Sequence, residues 1–424
     1  MPRLLIHSTV ITSRLRYVSH LLFRDLMGLE IAFTKNPEEF TSASDLKLNY
    51  SHQSLDCDLH IKPAKLLFEK RISDQEFSLR QGDIPLLFAN DTELGFDPLA
   101  ASFYIVSRYE EYLPHRTDEH GRYPARESYA AKHNFLDVPL VEHYAKLLAR
   151  HLGIEWSSTP ELEVTFDIDQ AFAFKHKGWL RSALGFGKQI SRFDLQGANR
   201  RYRTLMDTER DPLDIYGRLM EMTTGLQNDP VFFLQVGENS AYDINGPSYH
   251  AGFQELALSL EQEASVGVHP SYYSSTDEAR LQKEVTRLRK TTTHGLRRSR
   301  QHYIRFQWPS TFVKLEEAGI TDEYSMGFPE ANGFRAGISR PYRFYNLVRD
   351  EVSNLTIHPF AFMDMASMRE ANSHEEIVEA ALNMWERVKE VGGKMSTVWH
   401  LEALTGYGTK LVSMPALKAL LSAR

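Results

Sequence analysis

The stretch ELEVTFDIDQAFAFKHKG, residues 161–178, runs an apolar strand into two aspartates, Asp167 and Asp169, one residue apart. Residues i and i+2 of a strand share a side, so both carboxylates can enter one mouth. Two anions that close repel, and one takes up a proton unless a cation lies between them. A metal ion held by one carboxylate would leave the other free to accept a proton from water. The competing reading is an ordinary strand end, with the acids capping a helix or closing a salt bridge. Histidines finish three other apolar runs: His269 in SVGVHP, His358 in LTIHPF and His400 in KMSTVWH. His302 lies in SRQHYIRF between Arg300 and Arg305, where a solvated basic edge is the alternative. His269, His302 and Asp169 make a donor set suited to zinc or another late divalent ion. The two histidines would come from different strands, because no histidine stands four residues after His269. His400 titrates near neutrality and can serve as a general acid, or it is a helix-cap or core histidine. Arg335, in NGFRAGISRP, has glycines nearby that permit close approach. It can hold a carboxylate ionised, or it is a solvent-facing turn residue.

Such groups act together only on a scaffold that gathers strand ends. In β/α folds reactive groups sit at the carboxyl ends of the strands. After residue 160 the chain alternates short apolar strands (LEVTFDID, DPVFFLQVG, SVGVHP, QHYIRFQ, LTIHPF, KMSTVWH) with helical segments. The helix STDEARLQKEVTRLRK reads as opened by Ser275 or Thr276. This alternation predicts parallel β/α architecture, as a barrel or an open sheet. The first 150 residues read as a separate, smaller α/β unit. RLLIHST, LEIAFTK and DLKLNYS are its strands, and a helix begins at Asp97–Pro98. The polar stretch IEWSSTPELE marks the boundary, giving domains 1–156 and 157–424.

The 424 residues carry 49 basic and 56 acidic side chains, a net charge of −7, which leaves no global footprint for nucleic acid. RRSRQHYIR is too short and interrupted to change that. The single cysteine, Cys57, excludes a disulfide framework and a cysteine-based zinc site. The glycines of GFGKQ lack the strand and fingerprint of a phosphate-binding loop. No signal peptide is visible, and no apolar run reaches the roughly 18 residues of a membrane span. The expectation is a cytoplasmic protein, with protein partners unassigned. Asn239 and Tyr242 follow a strand and can line the same mouth. Trp308 and Tyr272 can stack on a sugar ring or pack in the core.

TFDID, GVHPSYYS, GFRAG and TVWH, taken in order, resemble blocks of the polysaccharide deacetylase superfamily, the NodB-homology enzymes. SRYEEY followed by HGRYP resembles the end of an N-terminal domain of unknown function carried by a divergent bacterial group of such proteins. The resemblance implies a distorted (β/α) barrel, often of seven strands, behind that smaller α/β domain. It implies removal of N- or O-acetyl groups from sugars with a divalent metal, zinc being the first expectation. By the same resemblance Asp167 is the base and Asp169 a metal ligand, one place later than usual because Ile168 occupies the usual position. His269 is retained as a ligand. Tyr273 stands where a second histidine is usual, and His302 is the substitute. Arg335 would orient the base, and His400 would be the acid. The expected function is deacetylation of an N-acetylated sugar or polysaccharide. The alternatives are a non-catalytic carbohydrate-binding or scaffold protein on the same fold, and a metal-dependent hydrolase of another small amide or ester.

Overall fold

The computed structural model describes residues 2–424. The chain divides into two compact units. The first takes Met1–Pro160, Gly333–Pro359 and Glu386–Lys394; the second takes Glu161–Asn332, Phe360–Trp385 and Met395–Arg424.

In the first unit, strands β1 (Arg3–His7), β2 (Glu30–Thr34), β3 (Leu46–Tyr50) and β4 (Leu59–Ile61) form a parallel sheet in the order β2-β1-β3-β4. A short antiparallel pair, β5 (Leu79–Arg80) and β6 (Leu86–Leu87), follows. The Pro98–Val106 helix begins as its sequence predicts. The Asp97 carboxylate accepts from the backbone N–H groups of Leu99 and Ala100, both at 3.0 Å, and Pro98 takes the first helical position, where no N–H is needed. Beyond Arg108, in the left-handed region at φ 54, a buried ion cluster forms. Arg335 grips Glu111 through Nε (2.9 Å) and Nη2 (2.6 Å), while Arg108 Nε reaches the same carboxylate at 2.8 Å. Burial alone would raise the Glu111 carboxyl, but the two guanidinium charges overcome it and hold it down at about 2.

The second unit opens with β7 (Glu161–Ile168), β8 (Val231–Gln235), β9 (Ser265–His269), β10 (Arg298–Ser299) and β11 (Asp322–Glu323). The chain then supplies the first unit with an antiparallel pair, β12 (Tyr342–Asn346) and β13 (Glu351–Ile357). It returns with β14 (Phe360–Met363) and β15 (Lys394–His400). The unit's seven strands run in the order β11-β10-β9-β8-β7-β15-β14. VFFLQ of β8 is buried at every residue, as a strand covered on both faces requires.

This sheet curls. Side chains stand roughly perpendicular to a sheet, so on a flat one residues three strands apart, about 14 Å, would not meet. Yet Arg300, just past β10, donates to Thr165 Oγ1 (2.6 Å) and Asp167 Oδ1 (2.8 Å) on β7. The ends of the curl also touch. The Phe360 N–H, opening β14, donates to the Met326 carbonyl at 3.1 Å, three residues beyond β11. Gly327 is required there, because a Cβ would lie 2.3 Å from the Phe360 ring. The result is the expected distorted, barrel-like sheet.

Three local expectations change. QHYIRFQ is not a strand: β10 lies just ahead of it, and His302–Ile304 is a tight turn with Tyr303 and Ile304 at φ 61 and 51. A left-handed pair cannot continue an extended strand. The Glu278–Arg289 helix is capped by Asp277, which accepts from the Arg280 N–H at 3.0 Å, and not by Ser275 or Thr276. Their hydroxyls bond back to the carbonyls of Tyr272 and Tyr273. In LTIHPF the strand stops at Ile357, and His358 belongs to the first unit.

Candidate metal centre

Alternation along β7 sets the site. Ile168 is 1% exposed, turned into the core, so Asp167 and Asp169 share the opposite side. The chain leaving Asp169 is clamped by Asp211, whose carboxylate accepts from the backbone N–H groups of Ala173 (2.8 Å), Phe174 (2.8 Å) and Lys175 (3.0 Å). His269 ends β9, and His302 enters from the turn after β10. Asp169, His269 and His302 each offer a ligand atom, all within 4.8 Å of one another. His269 Nε2 faces Asp169 Oδ1 at 3.0 Å, and His302 Nε2 faces Asp169 Oδ2 at 3.5 Å. Together the three form a candidate metal-binding cluster.

Each imidazole is fixed by its other nitrogen. His269 Nδ1 lies 2.6 Å from the Arg300 carbonyl, His302 Nδ1 lies 2.9 Å from Asp243 Oδ1, and His400 Nδ1 lies 2.7 Å from Asp364 Oδ1. An N–H on each Nδ1 leaves each Nε2 pointed inward, as metal-site histidines are commonly arranged. Asp243 is held in turn by the Tyr272 N–H (2.9 Å) and the Ser240 hydroxyl (2.6 Å). His269 Nε2 and Asp169 Oδ1 are buried and 3.0 Å apart yet make no hydrogen bond, as two acceptors cannot bond each other. Two converging orphaned acceptors are costly without a cation, so this donor set fits a divalent metal.

The electrostatics agree. Burial would raise the Asp169 carboxyl, but the His302 charge and the contacts of both histidines hold it well below the usual range. Burial would lower His302, yet Asp169 and Asp243 push it up to about 9. A metal ion on His302 would displace its proton, as metal binding does at ligating groups. His400, against its burial, is driven up to about 10, first by Asp364 and then by Asp169 and Asp167. Glu402, beside them, is pushed up to about 7 by burial and by the Asp169 charge.

Asp167 is 2% exposed, with Oδ1 on Arg300 and Oδ2 3.8 Å from His269 Nε2 and 3.9 Å from His400 Nε2. The second unit thus gathers Asp167, Asp169, His269, His302 and His400. Arg335 lies in the first unit on Glu111, and the arginine bonded to Asp167 is Arg300. The alternative of a solvated basic edge around His302 does not hold: Arg300 is 0% exposed, with its guanidinium carbon 4.5 Å from the Phe233 ring centre, and His302 is 6% exposed. Tyr273 is 38% exposed at the rim, with Tyr303 at 37%. Tyr272 stacks on Tyr242 at 4.0 Å, and Trp308 packs against Phe312. Sequence reasoning missed Asp243, Asp364 and Glu402. Asp364 carried a usable signal, since FAFMD ends an apolar run in an acid as TFDID does. Beyond β8 the loop that supplies Asp243 also borders an open cavity of about 1170 Å³, lined by Lys177, Arg181, Asn239, Lys283 and Arg287 with Glu238.

Residues 4–157 match a family of unknown function, DUF7033. No curated protein matches the chain. Among solved structures, the "putative polysaccharide deacetylase from Mycobacterium smegmatis" aligns at 16% identity with a TM-score of 0.41, covering 64% of this chain and 86% of that one.

Proposed function

We propose that this chain is a metal-dependent hydrolase that removes acetyl groups from an N-acetylated sugar or polysaccharide. One observation carries the reading: Asp169, His269 and His302 converge beside Asp167 and His400, with Asp169 Oδ1 and His269 Nε2 left without a partner. The three would hold a divalent ion, for which zinc suits the donors. When bound, such an ion supplies Lewis-acid polarisation of an acyl carbonyl and of its attacking water. Asp167, with Oδ1 fixed by Arg300, offers Oδ2 to take the water proton. His400 is a proton donor at neutral pH and delivers its Nε2 proton to the departing amine, while Asp364 holds the ring. The exposed rings of Tyr273 and Tyr303 offer faces on which a sugar can stack. The sugar assignment itself is supported by the resemblance of the TFDID, GVHPSYYS and TVWH blocks.

The test is acetate release from acetylated amino-sugar oligomers by protein loaded with zinc, cobalt or nickel. Release abolished in Asp167→Asn and His269→Ala is the expected result. No release across a broad panel, with no metal retained by the pure protein, would sink the proposal. Retained metal with hydrolysis of only non-sugar amides or esters would keep the chemistry and overturn the substrate.

A further inference from the structure

The second unit carries a helical pair, Trp179–Ser191 and Leu195–Leu205, with almost no core of its own. Among its described side chains only Ala198 and Thr204 are buried. Both helices are amphipathic by spacing. Trp179, Ala183, Phe186 and Ile190 share one stripe of the first, and Leu195, Ala198, Tyr202 and Leu205 share one stripe of the second. Such stripes are normally buried. Here Trp179 is 82% exposed, Phe193 in the connecting turn 89%, and Leu195 68%. A lone exposed apolar residue needs no explanation, but a cluster on one protruding element does.

The charge around the pair narrows what can cover it. Residues 175–210 contain nine Lys or Arg against three Asp or Glu, a net +6 in a chain of net −7. Lys175, Arg200 and Arg203 are paired with Asp207 or Glu209. Lys188 and Arg192 are exposed and form no ion pair among the described residues. Two copies of so cationic a surface would repel, whereas an anionic lipid surface attracts it. Aromatic side chains beside basic ones are the composition of elements that lie in a bilayer interface. No helix among the described residues is long and apolar enough to cross a membrane.

We propose that this helical pair docks on the surface of an anionic bilayer, with Trp179 and Phe193 entering the headgroup–acyl boundary and Lys188 and Arg192 facing lipid phosphates. The inference does not depend on the hydrolase reading. The test is co-sedimentation of the full chain with phosphatidylcholine vesicles, with and without phosphatidylglycerol. Partitioning should be at least roughly tenfold stronger with the anionic lipid and should fall at high salt. Trp179→Ser with Phe193→Ser should lower partitioning roughly tenfold or more. Lys188→Glu with Arg192→Glu should erase the preference for anionic lipid. All four side chains are exposed, so unchanged thermal unfolding shows that each variant is folded. Absence of vesicle binding, or variants that bind like the parent protein, would overturn the proposal. So would a dimer that Phe193→Ser dissolves, since the face would then belong to a second copy.

Discussion

Replacing Arg300 by Met keeps an unbranched apolar side chain in the core and removes the guanidinium, with its contact to the Phe233 ring. That group makes three bonds inside the curled sheet: to Asp167 Oδ1 at 2.8 Å, to Thr165 Oγ1 at 2.6 Å and to the Tyr324 carbonyl at 3.0 Å. Arg300 is 0% exposed and Asp167 2%, so water cannot replace what is lost. A buried charge stripped of its partner costs about 3–5 kcal/mol, and each stranded neutral acceptor adds to that. Arg300→Met should therefore lower unfolding free energy by about 3–5 kcal/mol. Asp167→Asn alone strands the guanidinium instead. The double variant strands neither charge, so its loss should fall short of the sum of the single losses by about 2–3 kcal/mol. Urea unfolding of the four proteins at neutral pH measures all of this. A single variant within about 1 kcal/mol of the parent, or a coupling below about 0.5 kcal/mol, would refute the claim that Arg300 anchors Asp167.

Two further predictions concern the groups that hold others in place. The Glu111 carboxyl drops from 4.5 in the free residue to about 2 through Arg335 and Arg108, so its contribution is complete above pH 4.5 and is lost as pH falls toward 2. The shift corresponds to about 3 kcal/mol, so unfolding of Glu111→Gln should lack about that much stability at pH 7 and should lack that acid limb. Arg335→Met that leaves stability intact yet abolishes hydrolysis would return Arg335 to the role the sequence suggested. Asp243→Asn retains an acceptor for the Tyr272 N–H but removes the charge behind His302. Zinc affinity measured by competition with a chelator should fall about 10–100-fold, and an unchanged affinity would remove Asp243 from the account.

How far the sequence could be read followed the range of the forces involved. Helix starts such as Asp97–Pro98 and largely apolar strands such as VFFLQ are local events and were legible. The ends of β7, β9 and β15 put Asp169, His269 and His400 on a common list because parallel strands share a carboxyl end. His302 was legible as a candidate, but its turn was not, since nothing in HYIRF announces left-handed Tyr303 and Ile304. Arg300 stood out only as a neighbour of His302, because a charged residue is ordinarily exposed and its carboxylate partner lies 133 residues earlier. Arg335 was legible as an arginine able to hold a carboxylate ionised, but its partner was not, because Glu111 lies 224 residues earlier. The antiparallel β12–β13 pair escaped because only LTIHPF stood out as apolar, and the assignment of Gly333–Pro359 to the first unit is a property of contacts rather than of composition.

The most direct test of the metal centre is anomalous diffraction at the zinc edge from crystals grown with zinc. One strong peak is expected, about 2.0–2.2 Å from an Asp169 oxygen and from the Nε2 atoms of His269 and His302. A site without a peak, or an ion bound away from these three atoms, would contradict it.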